Sequence, residues 1–288
     1  MEVGTIIKGI GGFYYVNTDK GLIECRAKGI FRKKGMVPLV GDRVEIELNG
    51  DGKTGVVAKI FDRHSVLIRP AVANVSQLML VAALDFPKPN TYVLDKLIAS
   101  AEYAGLKIVL CFNKSDLTED MSLPELYQKA GFDVVVVSAA EDFNISKLKE
   151  RLKDEVTVFA GNSGVGKSSI LNRIMKNDMF ETGKISDKTM RGRHTTRHSE
   201  LAVLPFGGYI IDTPGFSSFE LSSTEEDLPG LFREFENCEG ECRFPDCRHI
   251  AEPDCKIIAA VESGVISKSR HESYKLLHEE IKAAGVRY

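Results

Sequence analysis

The chain has 288 residues, 43% of them hydrophobic and 27% charged, with a formal net charge of −3. That profile belongs to a soluble globular protein of one large domain or two to three small ones. Met1-Glu2-Val3-Gly4 is not a basic region leading into an apolar run, and the apolar stretch Leu78–Leu84 is far too short to cross a bilayer. The expectation is therefore no signal peptide, no membrane partner and a cytoplasmic location. The six cysteines are then expected as thiols or metal ligands, and four of them lie between Cys238 and Cys255.

Residues 1–68 carry short strand patterns separated by Gly-rich turns. Phe13–Val16, Gly21–Arg26, Arg43–Leu48 and Gly55–Ile60 are the clearest of them. Several short strands at this spacing predict a small β-barrel, with an OB-fold the natural candidate. Within it, Arg26–Lys34 places five basic residues around Phe31. That composition suits phosphate contact plus base stacking and points to RNA, with a solvated basic loop as the alternative.

From about residue 75 to 220 strands and helices alternate, as in a mostly parallel α/β sheet. Leu78–Leu84 predicts a buried strand and Tyr92–Tyr103 a helix with Val93, Leu94, Leu97, Ile98 and Ala101 on one side. Lys107–Phe112 predicts a strand that ends at Asn113-Lys114-Ser115-Asp116, an NKxD pattern. A carboxylate at Asp116 can accept from guanine N1–H and N2–H₂, which adenine does not offer, so Asn113 and Asp116 are assigned to base choice. The Lys114 stem can lie over the ring. A helix near Pro124–Ala130 and a strand at Val134–Val137 lead to Ser138-Ala139-Ala140, where an SA motif offers a backbone N–H to guanine O6.

Ile145–Lys153 predicts an amphipathic helix and Val156–Ala160 a strand. Then comes Gly161-Asn162-Ser163-Gly164-Val165-Gly166-Lys167-Ser168, a complete P-loop, followed by Ser169 and a helix. Its glycines let backbone N–H groups converge on phosphate oxygens, Lys167 reaches the β/γ-phosphates and Ser168 ligates Mg²⁺. Arg191-Gly192-Arg193-His194-Thr195-Thr196 lies where a switch I segment belongs. Thr195 or Thr196 is expected to close over Mg²⁺. His194 is the candidate to orient or deprotonate water, or else it binds a partner's phosphate. Strands at Leu201–Leu204 and Tyr209–Ile211 lead into Asp212-Thr213-Pro214-Gly215, a DxxG motif in which Asp212 serves Mg²⁺ and Gly215 senses the γ-phosphate. Phe216 stands where many GTPases place a water-orienting Gln, which predicts slow intrinsic hydrolysis.

The order of these motifs is the most informative feature. A Ras-like domain runs P-loop, switch I, DxxG, NKxD, SA. Cutting it after DxxG and joining the old ends gives the order found here, that of a circularly permuted G domain. The same cut tethers the C-terminal segment to Gly215, so nucleotide state is expected to move that segment.

Beyond Ser222, Cys242-x4-Cys247-x-His249-x5-Cys255 offers three thiolates and one imidazole, a set suited to tetrahedral structural Zn²⁺, with Cys238 left outside it. A final helix is predicted over Ser269–Ala284.

Taken together, the barrel, the permuted NKSD, SAA, GNSGVGKS, RGRHTT and DTPGF motifs, and the C-x4-C-x-H-x5-C set resemble the RsgA family of bacterial small-ribosomal-subunit biogenesis GTPases. The resemblance covers nearly the whole chain. It implies a multi-domain α/β protein: an N-terminal OB-fold RNA-binding barrel (1–68), a circularly permuted Ras-like P-loop G domain (69–221) and a C-terminal α-helical zinc-binding domain (222–288). It also implies GTP/GDP, Mg²⁺ and structural Zn²⁺ as cofactors, the small ribosomal subunit and its rRNA as partners, subunit-stimulated hydrolysis, and His194 as the suspected catalytic residue. A monomer is expected. The alternatives are a P-loop kinase or ATPase, which NKxD and SAA oppose, and a nucleotide-sensing rRNA-binding protein with little turnover, which Phe216 favours.

Overall fold

The computed structural model describes residues 1–33, 35–68, 71–182, 200–212 and 223–285. In chain order its elements begin with β1 (Glu2–Ile10), β2 (Phe13–Thr18), β3 (Gly21–Ala27), α1 (Gly29–Lys33), β4 (Arg43–Leu48), β5 (Thr54–Ile60), β6 (Val66–Ile68) and β7 (Ala71–Ala73). Next come β8 (Gln77–Ala83), α2 (Thr91–Tyr103), β9 (Lys107–Asn113), α3 (Ser122–Lys129), β10 (Asp133–Val136) and α4 (Ile145–Leu152). They are followed by β11 (Val156–Ala160), α5 (Lys167–Thr182), β12 (Glu200–Val203) and β13 (Tyr209–Asp212). A 3-10 turn (Leu228–Leu231), α6 (Arg233–Glu236), α7 (Lys256–Glu262) and α8 (Lys268–Gly285) complete the chain. They form two compact units, one drawn from Met1–Gln77, Leu148–Phe159 and Leu171–Gly215, the other from Leu78–Lys147, Ala160–Ile170 and Phe216–Tyr288.

In the first unit β1, β2, β3, β5 and β4 pair in that order, and β4 pairs back to β1. The ring is therefore closed. Strands β3 and β5 run parallel while the other pairs are antiparallel, and α1 fills the connection from β3 to β4, the arrangement of an OB-fold. Period-two alternation explains the closure, because Ile6, Val16, Ile23, Cys25, Val44, Ile46 and Val57 all turn inward and are buried. The strand β1 carries two Gly residues in its nine, which hides it from propensity reasoning; pairing with both β2 and β4 holds it extended. The expectation that Phe31 stacks bases is corrected: α1 turns that ring inward, and it is 7% exposed.

The same unit continues beyond the barrel. β12 runs antiparallel to β13, which runs parallel to β11, and β1 meets β12 at Lys8 and Glu200, whose side chains pair at 2.8 Å.

In the second unit β10, β9 and β8 lie side by side, with β10 parallel to β9. All seven residues of β8 are buried, as in a strand covered on both faces. Leu94, Leu97, Ile98 and Ala101 of α2 are buried as the helical spacing requires, whereas Val93 is only half-buried. The C-terminal helices pack around Phe232, Phe235, Ile257, Ile266, Tyr274 and Leu277. Beside this core Arg270, 1% exposed, donates to Glu234 at 2.6 and 3.0 Å and to Asp95 of α2 at 2.6 Å. Two carboxylates around one guanidinium give the buried charge its partners. Among the described residues no helix is long and apolar enough to cross a membrane.

Candidate nucleotide site and metal cluster

The NKxD, SA and P-loop segments are far apart in sequence but meet around Asn113. This residue ends β9 and is buried. Its Nδ2 donates to the Val165 carbonyl at 2.9 Å, and its Oδ1 accepts from the Ala139 N–H at 3.1 Å. Both ends of the amide are thus engaged by the protein, so Asn113 ties the end of β9 to the P-loop and to the Ser138-Ala139 segment. Ser115 is held by its N–H on the Val137 carbonyl at 3.2 Å. Asp116 is exposed, and one carboxylate oxygen accepts from Ser138 Oγ at 2.5 Å. That bond fixes one oxygen of the carboxylate, while Ser138 itself stays buried.

Lys114 takes a left-handed conformation, φ 67°. Its Nζ donates to the Gly164 carbonyl at 2.8 Å and to the Phe86 carbonyl at 2.6 Å. The loop carrying Phe86 is a neighbour of the site that no motif announced; only its place at the end of β8 could have pointed to it.

The P-loop fits closely under these segments. At Gly161, φ 138°, a Cβ would lie 2.1 Å from the Val81 carbonyl oxygen, and at Gly166, φ 96°, 2.2 Å from Asn113 Nδ2. Any side chain at either place would drive the loop away from β8 or from Asn113. Asn162, Ser163 and Gly164 are exposed between them, and the 16-residue helix α5 starts at Lys167 with Ser168 and Ser169 exposed in its first turn. Unpaired N–H groups at such a helix start favour an anion. Lys167 Nζ donates to the carbonyls of Gly161 and Asn162 at 2.6 and 2.9 Å, and burial draws its pKa below the ordinary lysine value. Asp212 ends β13, its backbone opposite Glu200 of β12. His194, Thr195, Thr196, Gly215 and Phe216 lie outside the described residues.

Cys242, Cys247, His249 and Cys255 come together as the spacing predicts, their ligand atoms all within 4.8 Å of one another. His249 Nδ1 is 3.5 Å from Cys242 Sγ and 3.3 Å from Cys255 Sγ, and those two sulfurs are 3.9 Å apart. Ligands about 2.0–2.3 Å from a tetrahedral zinc ion lie at separations of this size, so the residues fit the metal. Burial, then the neighbouring sulfurs, push the Cys247 thiol up to about 12, so the ion must displace protons as it binds. Cys238 stays out of the set, its Sγ 3.2 Å from the Glu234 carbonyl.

The loop between the ligands is braced by a residue the sequence did not single out. Glu252 accepts from the N–H groups of Arg248, Ile250 and Ala251 at 2.8–3.0 Å, and these bonds hold its carboxyl at about 2 despite partial burial. From α8, His271 Nε2 contacts the His249 carbonyl at 2.7 Å and the Tyr274 hydroxyl donates to the Arg248 carbonyl at 2.6 Å.

Comparison with known proteins places this arrangement. A family model described as RsgA GTPase matches residues 60–222, and one described as RsgA N-terminal domain matches residues 3–57. The chain is 45% identical over 288 residues to a small ribosomal subunit biogenesis GTPase RsgA of Ruminiclostridium cellulolyticum, covering 98% of this chain and 94% of the relative. It is 47% identical over 281 residues to the protein of the same name from Clostridium kluyveri, covering 96% and 97%. Among solved structures, YjeQ from Thermotoga maritima matches with TM-score 0.81 and 34% identity over 97% of this chain and 98% of that one. YloQ, described as a circularly permuted GTPase, matches with TM-score 0.82 and 35% identity over 100% and 97%.

Proposed function

The chain belongs to the RsgA GTPase family, and from that premise we propose that it hydrolyses GTP to GDP and phosphate and assists biogenesis of the small ribosomal subunit. The observation that carries this reading is the Asn113 bridge. It joins the P-loop to the SA motif beside the Ser138–Asp116 pair, which supports reading these three segments as one guanine-nucleotide site.

In the reaction, water attacks the γ-phosphorus, the bond to the β–γ bridging oxygen breaks, and GDP leaves. Charge on the phosphate oxygens is met by the loop N–H groups and Lys167. Ser168 and Asp212, with Thr195 or Thr196, are the residues that would hold Mg²⁺, which when bound neutralises charge on the β- and γ-phosphates. Asp116 and the SA backbone select guanine, and Lys114 covers the base. With Phe216 in place of Gln, His194 is assigned to orienting the water, and turnover is expected to depend on the subunit.

Three domains divide the work: an RNA-binding OB barrel (1–68), the permuted GTPase domain (69–221) and the zinc-binding helical domain (222–288). The barrel contacts rRNA. Phe31 being buried, the platform we favour is Phe13, with the Arg26 guanidinium 4.5 Å over its ring, and Phe61, with Lys59 Nζ 5.0 Å above it. The protein acts as a cytoplasmic monomer.

Steady-state hydrolysis with and without purified small subunits, using ATP as control, tests this. Stimulation confined to GTP supports it. Tight GTP binding with flat turnover would replace it by the nucleotide-sensing reading.

A further inference from the structure

We infer that Phe86 forms a wall of the nucleoside pocket, its ring packing against the sugar and base of a bound guanine nucleotide beside the Lys114 stem; this rests on the nucleotide-site reading above. The loop that carries Phe86 is fixed to both nucleotide motifs by its backbone. It leaves β8 at Leu84, whose N–H donates to the Asn113 carbonyl at 2.9 Å. Two residues on, the Phe86 carbonyl accepts from Lys114 Nζ at 2.6 Å, and the same ammonium holds Gly164 of the P-loop at 2.8 Å. Pro87 follows the P-loop surface, its Cδ 3.8 Å from where a Cβ on Gly164 would stand. The far end of the loop is held by Asn90, which caps α2 by accepting from the Val93 N–H at 3.2 Å.

Between these anchors the Phe86 ring is 73% exposed. A single exposed apolar side chain is ordinary on a protein surface. What distinguishes this one is that its own carbonyl is pinned to the lysine expected to lie over the base. A loop held at both ends loses little backbone freedom when a ligand packs on its side chain. Its π-face meets sugar C–H groups and any purine alike, so Phe86 strengthens nucleoside binding without choosing the base. Base choice stays with Asp116.

The chain contains no Trp, so Phe86→Trp creates a single fluorescent reporter at this position. Saturable change in its emission on adding GDP or a non-hydrolysable GTP analogue is the expected result. Phe86→Ala is expected to weaken GDP binding by roughly fivefold or more, measured by calorimetry, from the usual worth of an aromatic contact to a base. Its KM for GTP should rise while subunit-stimulated kcat holds. Because the ring is exposed, the thermal unfolding midpoint of both variants should match that of the wild type. A silent tryptophan in a chain that binds GDP, together with unchanged affinity in Phe86→Ala, overturns the inference and leaves the site reading standing. Absence of GDP binding to the wild-type chain by calorimetry overturns the site reading, and the inference with it.

Discussion

Replacing Asn113 by Ala is the most direct test of how the permuted motifs are joined. The side chain is 2% exposed and makes two bonds, one to each neighbouring loop, at 2.9 and 3.1 Å. Truncation orphans the Val165 carbonyl and the Ala139 N–H. A buried polar group left unpaired costs roughly 1–3 kcal/mol, so the two together set a ceiling of about 6 kcal/mol. Water entering the vacated space re-pairs part of this. The empty site can also relax, whereas a bound nucleotide needs all three segments in register, so the loss should appear mainly in affinity. An expected penalty of about 2–3 kcal/mol corresponds to GDP binding weakened roughly 30- to 140-fold. Calorimetric titration of GDP measures it, with thermal unfolding in parallel to separate a folding defect. Asn113→Asp should be at least as damaging: it keeps the acceptor for Ala139 but sets a carboxylate oxygen against the Val165 carbonyl. Affinity of Asn113→Ala within about threefold of wild type, less than one orphaned group would cost, would refute the reasoning.

Three further outcomes are expected. Asp116→Asn presents a donor where guanine N1–H and N2–H₂ need acceptors; competition binding should show GDP weakened and xanthosine diphosphate, which carries a carbonyl at that edge, gaining relative to it. Cys255→Ser, or strong chelation, should remove one zinc per chain by metal analysis and raise hydrogen exchange across 223–285, because the ion staples loops that are short of their own core; unchanged zinc content in the variant would be contrary to the assigned ligand set. Arg270→Met leaves Asp95 and Glu234 buried without their cation and should cost roughly 3–5 kcal/mol in chemical denaturation. Burial already raises the Asp95 pKa against the pull of Arg270, and removing the guanidinium raises it further. A folded-state pKa above the unfolded one favours the folded state at low pH, so the deficit of Arg270→Met should shrink as pH falls from 7 towards the ordinary carboxylate range. A deficit that grows on acidification would contradict that assignment.

Much of the site was legible because phosphate and guanine recognition depend on few residues at fixed spacing. The P-loop glycines, Lys167, Asn113 and Asp116 can be read from the chain, as can the Cys/His set. Local periodicity likewise gave α2, α8 and the buried strands β8 and β9. The misreadings have equally physical causes. Phe31 looked like a stacking ring because sequence shows its basic neighbours but not which way a short helix turns it, and α1 turns it inward. The strand β1 is rich in Gly and is held by pairing with partners on both sides, information that a local window lacks.

What the sequence by itself determined is the chemistry: which residue types are present, at what spacing, and in what permuted order. Only the tertiary structure decided how those pieces cooperate. It made Asn113 a bridge between loops, brought Phe86 to Lys114, and set Glu252 to brace the metal loop. It also surrounded one buried guanidinium, that of Arg270, with carboxylates 36 and 175 residues away. The Glu252 brace is local, but the Asn113, Phe86 and Arg270 contacts join segments distant in sequence, and a side chain's partner at long range depends on how the whole chain packs.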